Sequence, residues 1–128
     1  VEDLTKHKMD SEQMFVTAEA CEKVNKAKAE GHKVCAVGTS VMRAIETAVG
    51  ADGNLKEFDG WTNKFIFPPY EFSLADAMIS NFHMPLSTML MLVCSYGGYE
   101  FVMDAYQTAL KEDYRFGTYG DAMLILEK

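Results

Sequence analysis

The order of apolar and polar positions divides the chain into short strands alternating with helices. Residues 1–16 read as an extended lead-in segment, polar and charged at its start, with a short strand at Met14-Phe15-Val16. Thr17 is a natural helix cap. Ala20, Cys21, Val24 and Ala27 then fall on one face of a helix running to about Glu30, and Gly31 supplies its stop. Lys33 to Gly38 is β-rich and almost continuously apolar, the pattern of a strand buried on both faces. Thr39 or Ser40 starts a helix to about Val49, ended by Gly50. Helix, strand, turn and helix in this order form the repeat of a parallel α/β sheet.

The second half is less regular. Ala51 to Gly60 is turn-rich and reads as a loop, and Asn63 to Phe67 reads as a strand closed by Pro68-Pro69. Between Glu71 and Asn81, the run Leu74 to Ile79 suits either a short helix or a strand. Ser87 to Tyr96 is apolar on all sides, which predicts a buried helix, and Gly97-Gly98 breaks it. Tyr99 to Asp113 is amphipathic, with Phe101, Val102, Ala105, Ala109 and Leu110 on one side. Ala122 to Leu126 is a last strand. The fold class is therefore α/β, a partly parallel sheet flanked by helices, with residues 1–128 in one domain.

Composition narrows this further. With 128 residues, 48% of them hydrophobic and 12% aromatic, the chain can bury a substantial core. No uninterrupted apolar run of about 18 residues is present, so no membrane span is expected, and no signal peptide is visible. Cys21, Cys35 and Cys94 are scattered and odd in number, which favours reduced thiols in a cytoplasm over a disulfide framework. Together with the histidines they lack metal-ligand spacing, so no metal site is expected. A first residue other than Met is expected of a processed chain or of a piece of a longer one. The net charge is −7, and residues 34–128 carry six of the 12 basic groups against 12 of the 19 acidic ones. Such a chain is a poor electrostatic match for RNA by itself.

The densest chemistry lies in Asn81-Phe82-His83-Met84-Pro85-Leu86-Ser87-Thr88. Pro85 keeps Met84 out of helical geometry, and Ser87 and Thr88 are helix starters. Asn81 and His83 are thus expected in a fixed loop just before a buried helix, where polar groups commonly receive an anion or a substrate. Gly38-Thr39 stands where a strand's C-terminal end meets a helix, the edge at which open α/β sheets bind ligands.

These residues also carry a resemblance. The 81–88 stretch resembles the Asn-Phe-His-x-Pro-x-Ser-Thr signature of the S-adenosylmethionine:tRNA ribosyltransferase-isomerase family of queuosine biosynthesis. Tyr114-Arg115-Phe116-Gly117-Thr118-Tyr119-Gly120-Asp121-Ala122-Met123-Leu124-Ile125 resembles that family's C-terminal Tyr-Arg-Phe-x-Ser-Tyr-Gly-Asp-Ala-Met-Leu-Ile. His7-Lys8-Met9-Asp10-Ser11-Glu12 is similar to His-x-Met-His-Ser-Glu, with Asp10 in place of the second histidine. Gly38-Thr39 with Arg43 and Glu46 resembles Gly-Thr-Thr-Ser-Val-Arg-Thr-Leu-Glu, with Ser40 and Val41 replacing the family's threonine and serine. The four blocks follow one another in order over nearly the whole chain.

The resemblance implies the C-terminal part of a larger α/β domain, without the family's inserted β-barrel. It implies transfer and isomerisation of the ribosyl part of S-adenosylmethionine onto the 7-aminomethyl-7-deazaguanine wobble base of tRNA, giving epoxyqueuosine. The partners would be S-adenosylmethionine as co-substrate and the tRNA, with no further cofactor. That chemistry needs a positioned base, an acid, an aligned neutral amine and a dry pocket. His83 is the acid/base candidate because its ordinary pKa lies near neutrality, and Asp121 is a second catalytic candidate. Gly38, Thr39, Arg43, Glu46, Asn81, Phe82, Ser87, Thr88, Arg115, Tyr119 and Gly120 are candidates for binding substrate, with His7, Ser11 and Glu12 completing the site from the lead-in segment. Each has a plainer reading. His83 packs in a loop, Asn81 and Asp121 close turns, and Ser87 or Thr88 only caps. Arg43 pairs with Glu46, and Arg115 pairs with Glu112 or Asp113. A different class of function, a stand-alone non-catalytic binding or assembly module with the same fold, suits the acidic charge and short length.

Overall fold

The computed structural model describes residues 11–84, 87–117 and 119–126. The lead-in strand is β1 (Glu12–Val16). Thr17 leaves it in extended conformation and accepts a hydrogen bond from Ala20 N–H at 3.1 Å, which starts α1 (Ala18–Ala29) as its side chain predicts. The helix stops before Gly31, and His32 N–H donates back to Ala27 O at 2.9 Å. Then come β2 (Cys35–Val37) and α2 (Thr39–Ala48). Gly38 joins them at φ +106°, a value glycine adopts without steric cost.

The expectation for residues 51–67 is corrected by the structure. The strand is not Asn63 to Phe67 but β3 (Phe58–Thr62), inside the stretch read partly as a loop. It pairs antiparallel with β1, from Val16↔Phe58 to Glu12↔Thr62. Asp59 and Gly60 are poor strand formers, and the ladder to β1 overrides that preference. The apolar run after it goes to packing instead: Ile66 is buried in the core, and the Phe65 and Phe67 rings meet at 4.9 Å.

The ambiguous stretch resolves as a strand, β4 (Ala77–Asn81). Ser87 caps α3 (Thr88–Gly97), and Gly98 links it directly to α4 (Tyr99–Lys111). The chain closes on β5 (Ala122–Leu126). The main sheet has the order β2-β4-β5, with β2 parallel to β4 and β5 antiparallel. Ala36, Met78 and Ile125 are register partners across it, at 0%, 0% and 7% exposure. They join Met42 and Ile45 of α2, Leu90 and Val93 of α3 and Val102 of α4 in one core. Truncating a buried methionine such as Met78 to alanine costs about 2–5 kcal/mol.

The other face differs from the expected strand buried on both sides. Val37 and Leu124 are 61% and 59% exposed, Cys35 and Leu126 are exposed too, and the helical core lies on the opposite face. The apolar side of α4 likewise splits in two. Val102 and Ala109, with Tyr106, face the core, whereas Phe101, Ala105 and Leu110 are exposed. Phe101 and Ala105 line an open apolar groove of about 750 Å³ with Met123, Leu124 and Leu126. Among the described residues, no helix is long and apolar enough to cross a membrane.

Candidate functional site

Strand directions bring three of the four sequence blocks to one edge of the main sheet. β2 and β4 are parallel, so Gly38-Thr39 and Asn81 to His83 leave the sheet at the same end. β5 is antiparallel, so Gly120-Asp121 enters it there, with Asn81 opposite Ala122. Hydrogen bonds tie these segments together. Gly38 N–H donates to Ile79 O at 2.8 Å, Gly117 N–H to Phe82 O at 2.8 Å, and Phe82 N–H to Asp121 O at 3.3 Å. This is the edge at which open α/β sheets present residues to a ligand.

His83 is half-buried and held from two sides. Its backbone N–H donates to the Tyr106 hydroxyl at 2.8 Å. Its Nε2 lies 2.8 Å from Ser80 Oγ, and that hydroxyl in turn donates to Asn81 O at 2.9 Å. Burial alone pushes the His83 imidazole below its ordinary pKa of 6.5, which keeps the ring neutral at physiological pH. Tyr106 is buried on α4, and its phenol is pushed upward chiefly by desolvation. Beneath the loop, Phe82 is 5% exposed and meets the rings of Tyr106 at 5.1 Å, Phe116 at 5.2 Å and Tyr114 at 5.8 Å. Phe82 and Phe116 therefore anchor the loop by packing.

The loop from Arg115 to Asp121 is closed by its own carboxylate. Asp121 Oδ2 accepts from Arg115 N–H at 2.7 Å, and Asp121 N–H donates to Arg115 O at 2.8 Å. A Cβ at Gly120 would fall 2.6 Å from Arg115 O, so only glycine fits that close approach. Asn81 Nδ2 donates to Asp121 O at 3.3 Å. Arg115 is exposed and makes no ion pair with Glu112 or Asp113, unlike one of its expected readings. Tyr119 is fully exposed. The edge thus offers an exposed guanidinium, an exposed phenol, an amide and a neutral imidazole.

Arg43 and Glu46 do not pair with each other. Both are buried on α2 and occupied by protein groups. Arg43 Nη1 lies 2.7 Å from Glu12 Oε1, and its Nε donates to Lys64 O at 3.2 Å. Glu46 accepts from Tyr70 OH at 2.9 Å, Ser73 N–H at 2.9 Å and Ser73 Oγ at 3.2 Å. Glu12 thus contributes through Arg43, and Ser11 beside it is exposed. Ser87 Oγ accepts from Leu90 N–H at 3.1 Å, the capping role foreseen for one of the two hydroxyls; Thr88 is half-buried in the first turn. His7, Pro85 and Thr118 lie outside the described residues. Among the described residues, no three His, Cys, Asp or Glu side chains converge as metal ligands. Sequence reasoning missed Ser80 and Tyr106. The signals were a lone hydroxyl directly after the apolar run Ala77 to Ile79, and a tyrosine one turn after Val102.

The profile of a family described as queuosine biosynthesis protein matches residues 1–125. The chain belongs to that family. It is 77% identical over 128 residues to the S-adenosylmethionine:tRNA ribosyltransferase-isomerase of Phocaeicola vulgatus, covering 100% of this chain and 36% of that protein. To the protein of that name from Moorella thermoacetica it is 49% identical, covering 98% of this chain and 37% of the relative. The crystal structure of the S-adenosylmethionine tRNA ribosyltransferase from Thermotoga maritima matches with a TM-score of 0.82 and 46% identity, over 88% of this chain and 39% of that one. The chain thus spans little more than a third of the length of these family members.

Proposed function

We propose that this chain is the C-terminal portion of the catalytic α/β domain of a tRNA-modifying enzyme of the cytoplasm. The enzyme transfers and isomerises the ribosyl moiety of S-adenosylmethionine onto the 7-aminomethyl-7-deazaguanine base of tRNA, giving epoxyqueuosine. The observation that carries the reading is the convergence of Gly38-Thr39, Asn81 to His83 and Arg115 to Asp121 on one sheet edge, in a chain of this family.

The roles follow from the chemistry each group can supply. The sulfonium of S-adenosylmethionine acidifies the adjacent ribose methylene, and the neutral, half-buried imidazole of His83 takes that proton. Asp121, whose Oδ2 already holds the loop, presents its carboxylate to the incoming aminomethyl group. Arg115 clamps a carboxylate or a phosphate, and Tyr119 stacks on a base. Gly38 and Thr39 admit the ligand close to backbone, while Arg43, Glu46 and Glu12 brace α2 behind them. No metal or redox cofactor enters this scheme, because departure of the sulfonium as a neutral thioether supplies the driving force.

The net charge of −7 leaves the binding of tRNA phosphates to the rest of the protein. The bare sheet face at Val37, Leu124 and Leu126 and the groove beside Phe101 suit packing against that remainder. The test is calorimetric titration with S-adenosylmethionine. The full-length protein should bind saturably, Arg115→Ala should weaken that binding, and this chain alone should not turn over substrate. Turnover of pre-queuosine tRNA by the chain alone would refute its status as part of a larger site. Absence of binding by the full-length protein would favour the non-catalytic module instead.

A further inference from the structure

The contact between Ser80 and His83 carries information about protons as well as position. Ser80 is 3% exposed, and its one hydroxyl proton has two neighbours within hydrogen-bond distance. One is the Asn81 carbonyl at 2.9 Å, and the other is His83 Nε2 at 2.8 Å. A carbonyl oxygen can only accept, whereas an imidazole nitrogen can donate or accept. Both contacts are made together in one way only: Ser80 donates to Asn81 O, and His83 Nε2–H donates to Ser80 Oγ. Were Nε2 the unprotonated nitrogen, the single serine proton would have to abandon one of its two acceptors.

We infer that Ser80 is a positioning residue that fixes His83 as the Nε2–H tautomer, so that Nδ1 is the nitrogen that gains and loses the catalytic proton. The inference rests on the proposed role of His83 in proton transfer and names the atom that performs it. When a substrate C–H proton moves to Nδ1, its bonding pair stays on carbon and the ring becomes an imidazolium. Nε2–H keeps its bond to Ser80 throughout, so the ring need not turn between the two protonation states. The backbone bond from His83 N–H to Tyr106 OH holds the other end of the residue. On the helical side Tyr106 is a titratable group with Cys94 near it, and among the described residues no carboxylate contributes to the His83 shift. Among the described residues, the serine contact therefore directs the ring without a charge partner. A serine that acts this way is replaceable by threonine and not by alanine.

The test uses the full-length protein with nitrogen-15-labelled histidine, and the His83 signals are assigned by their loss in His83→Gln. Long-range proton–nitrogen correlation at a pH above the His83 titration should give a protonated Nε2 and an unprotonated Nδ1. In Ser80→Ala the tautomers should mix, and the acid limb of the kcat–pH profile should move. There kcat should fall about 10-fold with KM for tRNA unchanged, and Ser80→Thr should restore the tautomer, the limb and the rate. An Nδ1–H tautomer in the unmodified protein overturns this inference and leaves His83 as proton carrier. An unaltered tautomer and pH limb in Ser80→Ala also overturn it, whatever that variant's stability. Full turnover in His83→Gln overturns both this inference and the proposed role of His83.

Discussion

Replacing Tyr106 by phenylalanine removes one oxygen and leaves a ring that still packs against Phe82 at 5.1 Å and Phe116 at 5.6 Å. The lost atom is the acceptor of the His83 backbone N–H at 2.8 Å. A neutral hydrogen bond contributes about 1 kcal/mol net, and a donor left without a partner costs about 1–3 kcal/mol. His83 is half-buried, so water recovers part of the loss, and the expected destabilisation is about 1–2 kcal/mol. For a chain of this size that lowers Tm by roughly 4–8 °C. Urea unfolding of the chain, followed by far-ultraviolet circular dichroism, measures it directly. The slope with denaturant should not change, because the same surface is exposed on unfolding. A loss below about 0.3 kcal/mol would refute the claim that the hydroxyl holds the His83 loop. A loss above about 4 kcal/mol would mean that the ring had repacked. Tyr106→Ala, which deletes the ring, should cost the larger amount of about 3–5 kcal/mol.

Three further outcomes follow from the same geometry. Gly120→Ala should destabilise the Arg115–Asp121 loop by about 2 kcal/mol or more, since its Cβ would meet Arg115 O at 2.6 Å, and thermal melting of the variant checks this. Stability should fall as the pH drops below 6.5. Burial lowers the His83 pKa, so the unfolded chain takes up that proton first, and the penalty grows until the pH passes the folded value; urea midpoints from neutral pH to about 5 should slope less in His83→Gln. A thiol reagent should label exposed Cys35 quickly and buried Cys94, whose thiol burial pushes up to about 11, only on unfolding. Mass spectrometry of labelled peptides reads this out, and Cys35 should label more slowly in the full-length protein if the remainder covers that sheet face.

Much of the fold was legible because short-range signals decide it. Thr17, Ser87, Gly31 and Gly98 mark helix ends by hydrogen bonding or by backbone freedom, and each lies at the boundary its chemistry predicts. β3 was missed because its strand character comes from the distant β1 ladder, while Asp59 and Gly60 argue locally for a loop. The burial of Cys35 to Val37 was overestimated because a continuous apolar run cannot say whether the element that covers it lies within the same chain. The candidate site was legible in its composition and not in its wiring. The 81–88 block and the 114–125 block were visible as motifs. That Gly117 N–H and Asp121 O both bind the backbone of Phe82, joining the two, follows only from the antiparallel register of β4 and β5. The partners of Arg43 and Glu46, Glu12 on one side and Tyr70 with Ser73 on the other, are likewise long-range contacts that helical spacing does not reveal.

The proposed function turns on proton transfer by the sheet edge around His83. Its most direct test is single-turnover reaction of the full-length protein with S-adenosylmethionine and pre-queuosine tRNA, comparing unmodified protein with His83→Ala. A rate loss of about 100-fold or more is expected, with S-adenosylmethionine binding and the unfolding midpoint nearly unchanged. A rate close to that of the unmodified protein would contradict it.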